Sequence, residues 1–269
     1  MTAAISRIGA ATRVFGIVAD PIAHVRTPQL FNELAAAHGI DAAMVPMHVA
    51  PEDLVAFMRG LRGWRNFGGL IATVPHKTAM PALCDTLTER ARMADAVNAV
   101  RRERDGSLAG DLLDGEGFVG GLRARAIEPR GMDVWMAGAG GAASAIAFAL
   151  IEAGAARLSI YNRTLARAAA LAARLTAAFP VARIEVTEAP PQSCDLIVNA
   201  TSLGMHDGDP LPVDAAALRP GMIVAEIIMS PATTPLLAAA ARRGCRIHPG
   251  LPMLEAQIEA MARFMGAVP

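Results

Sequence analysis

Short apolar segments alternate with longer amphipathic ones, and the pattern runs through this chain twice, which leaves it few folds to choose from. In the first pass "RVFGIVA", "MVPMHV" and "GGLIATVP" read as strands, with "TPQLFNELAAAHG" and "PEDLVAFMRGLRG" as the helices between them. A βαβαβ order of this kind requires a mostly parallel sheet, because each strand is carried back to the same end by a helix. Thr27 ahead of Pro28, and Pro51 ahead of two acids, mark helix starts, while Gly39 and Gly63 stand where C-terminal caps belong. "AVNAVRRERDG" and "SLAGDLLD" predict a hairpin about Asp105-Gly106, since Asp-Gly favours a tight turn. "GEGFVGGLRARA" then reads as a linking helix.

The second pass begins at Asp133: strand "DVWMAG", helix "AASAIAFALIEAG", strand "RLSIYN", helix "TLARAAALAARLTAAF", strands "RIEVTEA", "CDLIVNAT" and "GMIVAEII", helix "TPLLAAAARRG" and strand "CRIHPG". This is the order of a doubly wound nucleotide-binding domain. The alanine-rich stretches are ordinary helices, since alanine has the highest helix propensity and their arginines recur on one face. A last amphipathic helix, "LPMLEAQIEAMARFMG", is expected to pack back across the boundary between the halves. The fold class is therefore α/β with two domains. The first, residues 1–112 completed by a C-terminal helix over 251–269, is a substrate-binding domain with a mostly parallel sheet, and the second, residues 113–250, is Rossmann-like.

Composition removes several function classes. With 269 residues, 53% of them hydrophobic, the chain can fill a core. Its longest apolar runs, "SAIAFALI" and "IVAEIIM", fall short of the ~20 residues of a membrane span. "MTAAISRIGAATRVFG" has no continuous apolar core of the kind a signal peptide carries, so a cytoplasmic location is expected. Cys84, Cys194 and Cys245 form no C-x-x-C pair and the histidines show no H-E-x-x-H spacing, so the thiols read as reduced and no metal is expected. Net charge is zero, with no basic run, which argues against nucleic acid and for a small-molecule ligand.

"MAGAGGAASA" places Gly138, Gly140 and Ala143 in a G-x-G-x-x-A pattern between a strand and a helix. One glycine makes the turn, the next lets backbone approach a pyrophosphate, and the small third residue permits close packing, with the helix N-terminus toward the phosphates. A glycine turn without a ligand is the plainer alternative. After the next strand an NAD-specific domain would carry an acid for the ribose 2′-hydroxyl, but here stand Asn162, Arg163, Thr164 and Arg167. Cations and a hydroxyl suit a 2′-phosphate, so NADP is the expected cofactor; a solvated helix start is the other reading.

Lys77, after the strand "LIATVP", is the sole lysine among 25 Lys and Arg residues. Lysine can share a proton where arginine cannot, which makes Lys77 a candidate acid or base, against the alternative of a leftover surface lysine. Asp114 in "GDLLDGEG" would complete a proton-transfer pair if the two met across a cleft.

Taken together, "DPIAHVRTP", "TVPHK", "ADAVNAV", "GDLLDG", "AGAGGAAS", "NRT", "NATSLGM", "TPLL" and "GLPMLEAQ" follow in the order of the shikimate and quinate dehydrogenases, which the chain resembles over nearly its whole length. The resemblance implies an NADP-dependent dehydrogenase acting on a CH–OH group, in aromatic amino acid biosynthesis, with Lys77 and Asp114 as the catalytic pair. It implies that Thr27, Thr73, Asn98 and Gln257 contact substrate. It also implies that Gly138, Ala139, Gly140, Gly141, Ala142, Ala143, Asn162, Arg163, Thr164, Arg167, Thr201 and Gly250 hold NADP. As partners it implies a small cyclic polyol or hydroxy acid, without nucleic acid or membrane, in a monomer or homodimer.

The chain departs from the family where it reads Val25-Arg26-Thr27 for Ser-x-Ser, Ile71 for Asn, Leu112-Leu113-Asp114 for Asn-Thr-Asp, and Met229 for Tyr. In the family those groups bind mainly the ring carboxylate and nearby hydroxyls. Each lost hydrogen bond to a charged group costs ~1.5–3 kcal/mol, so two lost contacts would weaken binding about a hundredfold. The leading expectation is a divergent member with an altered substrate pocket, one that can work outside the aromatic pathway. An authentic shikimate or quinate dehydrogenase and a non-catalytic NADP-binding sensor are the alternatives.

Overall fold

The two alternating series build two six-stranded sheets, one in each unit of the chain. The structure, a computed structural model, describes residues 8–23, 25–190 and 194–268. The first seven residues of "MTAAISRIGAATRVFG" and His24 of "DPIAHVRTP" lie outside the described residues. One unit runs up to Leu113 and resumes at Gln257; the other is Asp114–Ala256.

In the first unit the elements are β1 (Arg13–Ala19), α1 (Thr27–Ala37), β2 (Ala42–His48), α2 (Leu54–Gly63), β3 (Phe67–Ala72), β4 (Thr86–Leu87), α3 (Glu89–Ala94), β5 (Ala99–Arg102) and β6 (Leu108–Asp111). The strand order is β2-β1-β3-β5-β6-β4. β1 runs parallel to β2 and β3, while β5 is antiparallel to both β3 and β6. β3 is buried along its whole length, as its unbroken apolar run "FGGLIA" requires of a strand covered on both faces. β2 is an edge strand, and so can carry Pro46 at no cost to the ladder. The expected hairpin is present between β5 and β6, and Gly106 takes the left-handed conformation (φ 90°) that the turn needs.

Some local readings are corrected. Thr27 does not cap α1: Arg26 occupies the N-cap, and no side chain there makes a capping bond. Gly39 has the left-handed φ of a helix terminator (64°), but Gly63 is the last residue inside α2, with extended Trp64 beyond it. β4 and α3 carry too few residues to show a period, and the sequence pattern passes over both.

The second unit comprises α4 (Asp114–Ala124), β7 (Asp133–Ala137), α5 (Gly141–Glu152), β8 (Arg157–Tyr161), α6 (Leu165–Ala178), β9 (Arg183–Val186), β10 (Leu196–Asn199), β11 (Ile223–Glu226), α7 (Pro235–Arg242), β12 (Arg246–His248) and the start of α8 (Leu251–Phe264). All its strand pairings are parallel, in the order β12-β11-β10-β7-β8-β9. The chain therefore winds outward from β7 in one direction and from β10 in the other. An open α/β sheet holds its ligands where the order reverses in this way. Phe118, Leu122, Val134, Met136, Ile146, Leu150, Leu158 and Ile160 fill the core on one face of this sheet. His248, at the end of β12, is buried edge-on to the Phe118 ring (6.3 Å between centroids, 81° between planes). Neither of its ring nitrogens has a hydrogen-bond partner among the described residues. Burial, assisted by the charges of Arg125 and Arg246, pushes its pKa down to about 4.

From Gln257 onward α8 belongs to the first unit, where Met261, Ala262 and Met265 pack with Phe15, Ile17, Phe31, Ile71 and Leu113. Arg13 adds a polar tie to this segment, its Nη1 donating to the Gly266 carbonyl at 2.6 Å.

Candidate active site

The cofactor motif lies at the reversal point of the second sheet. β7 ends at Ala137, and the register sets Ala137 beside Tyr161 of β8 and Asn199 of β10. The turn at Gly138 has φ 122°, and a Cβ there would stand 2.6 Å from the Ala200 carbonyl, so no other residue fits. Its amide is held by the Tyr161 carbonyl at 2.7 Å. Gly140 is the N-cap of α5 and offers no side chain to the helix, so the first-turn N–H groups are left to an outside acceptor. A Cβ on Gly140 would meet no protein atom, which leaves open space in front of those amides. Ala143 is fully buried, and Ala139, Gly141 and Ala142 are partly so.

Arg163, Thr164 and Arg167 stand exposed just past β8. Asn162 shapes that turn, its Nδ2 donating to the Thr164 carbonyl at 3.0 Å. Thr164 is the N-cap of α6, yet its hydroxyl makes no capping bond. Two guanidinium groups, a hydroxyl and no carboxylate are the donor set for a phosphate on the ribose, and with the bare start of α5 they fit NADP.

Thr201 and Gly250 serve the backbone. The Thr201 hydroxyl donates to Asn199 Oδ1 at 2.6 Å and accepts from the Leu203 amide at 3.0 Å, so it is committed to its own turn. Gly250 is forced by packing, because a Cβ would lie 2.5 Å from the Ile228 carbonyl. A polar knot that the sequence reading missed lies beside them. Asn199 Nδ2 (3.2 Å) and the Thr234 hydroxyl (2.9 Å) both donate to Glu226 Oε1. Thr234 in turn caps α7 by accepting from the Leu237 amide. Glu226 is fully buried, Oε2 has no partner among the described residues, and desolvation raises its pKa. "NATSLGM" and "TPLL" contain two of the three residues, but their spacing gives no sign that a buried acid joins them.

In the first unit the C-terminal ends of β1 and β3 lie side by side, tied by the Thr73 amide donating to the Val18 carbonyl. Thr27 follows β1, buried at the start of α1, and Thr73 follows β3 directly. The chain then enters a short 3-10 turn over His76–Thr78 that contains Lys77. Two contacts fix that turn: the buried His76 ring bonds the Val49 carbonyl (2.9 Å), and the Lys77 carbonyl accepts from the Val97 amide (2.9 Å). Lys77 is thus partly buried on an anchored turn at the C-terminal end of the parallel strands β1 and β3.

Asn98 is next in line and wholly buried. Its carbonyl accepts from Ala72, its amide donates to the Asp111 carbonyl, and its Oδ1 accepts from the Leu113 amide at 2.8 Å. It thereby joins the end of β3 to the chain that leads into Asp114, the buried first residue of α4. Asp111, just upstream, is buried in a two-pronged pair with Arg90 (2.7 and 2.6 Å) and accepts from the Thr88 hydroxyl. This support has no signature in the sequence, since Thr88 and Arg90 sit in the short stretch around α3. Gln257 is buried one helical turn ahead of Met261, on the face of α8 that packs in this unit.

The departures from the family divide into two kinds. Ile71 and Leu112 are buried, Ile71 in the core with Phe15 and Leu113. Val25 is half-buried and Met229 is 52% exposed, so both offer an apolar surface where the family has hydroxyls. Burial pushes the Cys84 thiol up to about 12 and the Cys194 thiol up to about 11, which disfavours the reactive thiolate at both. Among the described residues no cluster could hold a metal ion, and no helix is long and apolar enough to cross a membrane.

Two family models match the chain: a shikimate dehydrogenase substrate binding domain over residues 17–100, and shikimate / quinate 5-dehydrogenase over residues 124–205. A shikimate dehydrogenase (NADP(+)) of Rubrobacter xylanophilus is 42% identical across 98% of this chain and 95% of its own. Among solved structures, a shikimate dehydrogenase in complex with NADP+ superposes with a TM-score of 0.90 at 29% identity, covering 98% of this chain and 93% of that one. A 5-ketofructose reductase of Gluconobacter sp. strain CHM43 is also similar, with a TM-score of 0.86 at 31% identity over 95% of this chain and 93% of that one.

Proposed function

The chain belongs to the shikimate / quinate 5-dehydrogenase family, and from that premise we propose that it is an NADP-dependent dehydrogenase interconverting a secondary alcohol and a ketone on a small cyclic hydroxy acid of the shikimate type. The observation that carries this reading is the glycine turn Gly138–Ala143 at the strand-order reversal, with Arg163, Thr164 and Arg167 beside it and no acid among them. Those residues hold the cofactor, and the first unit holds the substrate.

NADP, when bound, supplies the hydride acceptor or donor. The protein's own task is the proton. As the alcohol becomes a ketone, the hydroxyl proton passes to Lys77 Nζ; in the reverse direction the Lys77 ammonium returns it to the forming alcohol. The Asp114 carboxylate, at the buried start of α4, is assigned to orient the hydroxyl that reacts. Thr27, Thr73, Asn98 and Gln257 are assigned to the substrate, Asn98 chiefly by holding the backbone between Ala72 and Leu113.

Steady-state assays on shikimate, quinate and 5-ketofructose with each nicotinamide cofactor test this. Turnover of shikimate with NADP and little with NAD is expected; no turnover on any of the three would favour a cofactor-binding sensor. The exposed Met229 and half-buried Val25 support a second reading, a polyol without a carboxylate. On that reading KM for shikimate is high, and Val25→Ser with Met229→Tyr lowers it by about tenfold or more by restoring hydrogen bonds to the carboxylate. An unchanged KM in the double variant would refute it.

A further inference from the structure

A cavity of about 880 Å³ opens on the first unit, lined by Arg13, Arg65, Arg102 and Arg104 together with Glu103 and Asp105. Arg13 begins β1, Arg65 precedes β3, and Arg102 ends β5, which runs antiparallel to β3. The cavity therefore lies at the start of the parallel strands, whereas Thr73 and Lys77 follow the end of β3, so it is separate from the site described above.

Its positive charge is only partly compensated, with four guanidinium groups against two carboxylates. None of the four arginines has a carboxylate partner among the described residues. Arg13 and Arg102 are held by backbone carbonyls instead: Arg13 by Gly266 (2.6 Å), and Arg102 by Arg62 through Nε and Nη2 (3.0 and 2.8 Å). Carbonyl ties fix a guanidinium in place and leave its full charge available. Of the two acids in the lining only Glu103 is neutralised by another cation; Asp105 is bonded by uncharged donors and keeps its charge. Glu103 pairs with Arg101 (2.6 Å), and Asp105 accepts from the Ser107 hydroxyl and amide (2.7 and 2.9 Å). In a chain of zero net charge this is a local excess, gathered from three separate stretches.

We propose that this cavity binds a small anion carrying two or more phosphoryl groups. Guanidinium forks match phosphate oxygens two at a time, and a concave site with positive walls concentrates an anion. The volume falls in the usual range for small-molecule pockets, so a compact ligand suits it better than an extended polymer.

Isothermal titration with inorganic pyrophosphate at fixed ionic strength tests the proposal. The Arg163→Ala/Arg167→Ala variant removes the phosphate-binding arginines of the second unit. One saturable site is expected in the wild type and in that variant, with affinity reduced about tenfold or more in Arg65→Ala/Arg104→Ala. Both of those arginines are exposed, so folding is preserved; Arg65→Gln/Arg104→Gln serves as a second pair, and dehydrogenase rates without pyrophosphate should stay as in the wild type. The proposal falls if binding is absent, survives loss of Arg65 and Arg104, disappears with Arg163 and Arg167, or is matched by sulfate at equal ionic strength.

Discussion

At the scale of single residues, the chain separates charge from proton transfer. Every cation but one is arginine, and the exception lies on a turn anchored by His76 and Val97. If charge alone were needed at that turn, arginine would serve there as it does elsewhere. Lys77→Arg is therefore expected to lower turnover by about two to four orders of magnitude, the scale of general acid–base catalysis, and to leave NADPH affinity unchanged. Single-turnover hydride transfer measures this, and a near-normal rate in the arginine variant would return Lys77 to the ordinary surface.

At the scale of elements, the turn between β8 and α6 is the part assigned to the 2′-phosphate of NADP. Asn162 bonds the Thr164 carbonyl, which keeps Arg163 and the uncapped Thr164 hydroxyl outward. NADPH is expected to bind about tenfold or more tighter than NADH, and Arg163→Ala to remove most of the difference. Calorimetric titration showing equal affinities in the wild type would overturn it. The assignment rests on "NRTLAR", whose residues are neighbours in sequence, and the mostly parallel order of the two sheets was legible because each strand–helix step is local. What could not be read depends on distant partners. Glu226 is an acid in an apolar run until Asn199 and Thr234 meet it, Asp111 finds Arg90 only through β4 and α3, and Ile71 looks like a pocket residue until the core closes over it. Thr27 shows the same limit at short range: it has the composition of a cap, but the helix begins a residue earlier.

At the scale of the whole molecule, stability is tied to pH through His248. Its pKa in the folded protein, about 4, lies below the ordinary 6.5, so the unfolded chain takes up the proton first. The stability linked to neutral His248 is complete above pH 6.5 and is lost as the pH falls through about 4, a change on the order of 3 kcal/mol. His248→Leu is expected to flatten the fall of melting temperature across that window, and parallel curves for the two proteins would contradict it. Glu226 acts in the opposite sense. Its raised pKa favours the folded state at low pH and opposes it as the carboxyl ionises, so the two buried groups pull stability in opposite directions as the pH changes.

The division of α8 between the units bears on how the protein is made. Asp114–Ala256 is one uninterrupted run, available in full before residue 257 leaves the ribosome. The first unit, although synthesised earlier, lacks Met261, Ala262 and Met265, and the Arg13 bond to Gly266 spans 253 positions. Closing so long a loop costs entropy before any contact repays it, and such contacts form late. In refolding followed by pulsed hydrogen exchange, amides of β7, β8 and β10 are expected to gain protection ahead of those of β1 and β3, and the reverse order would exclude this. The half of the chain that is made first is thus expected to be completed last, its β1 and β3 waiting on a helix translated only after the whole second unit.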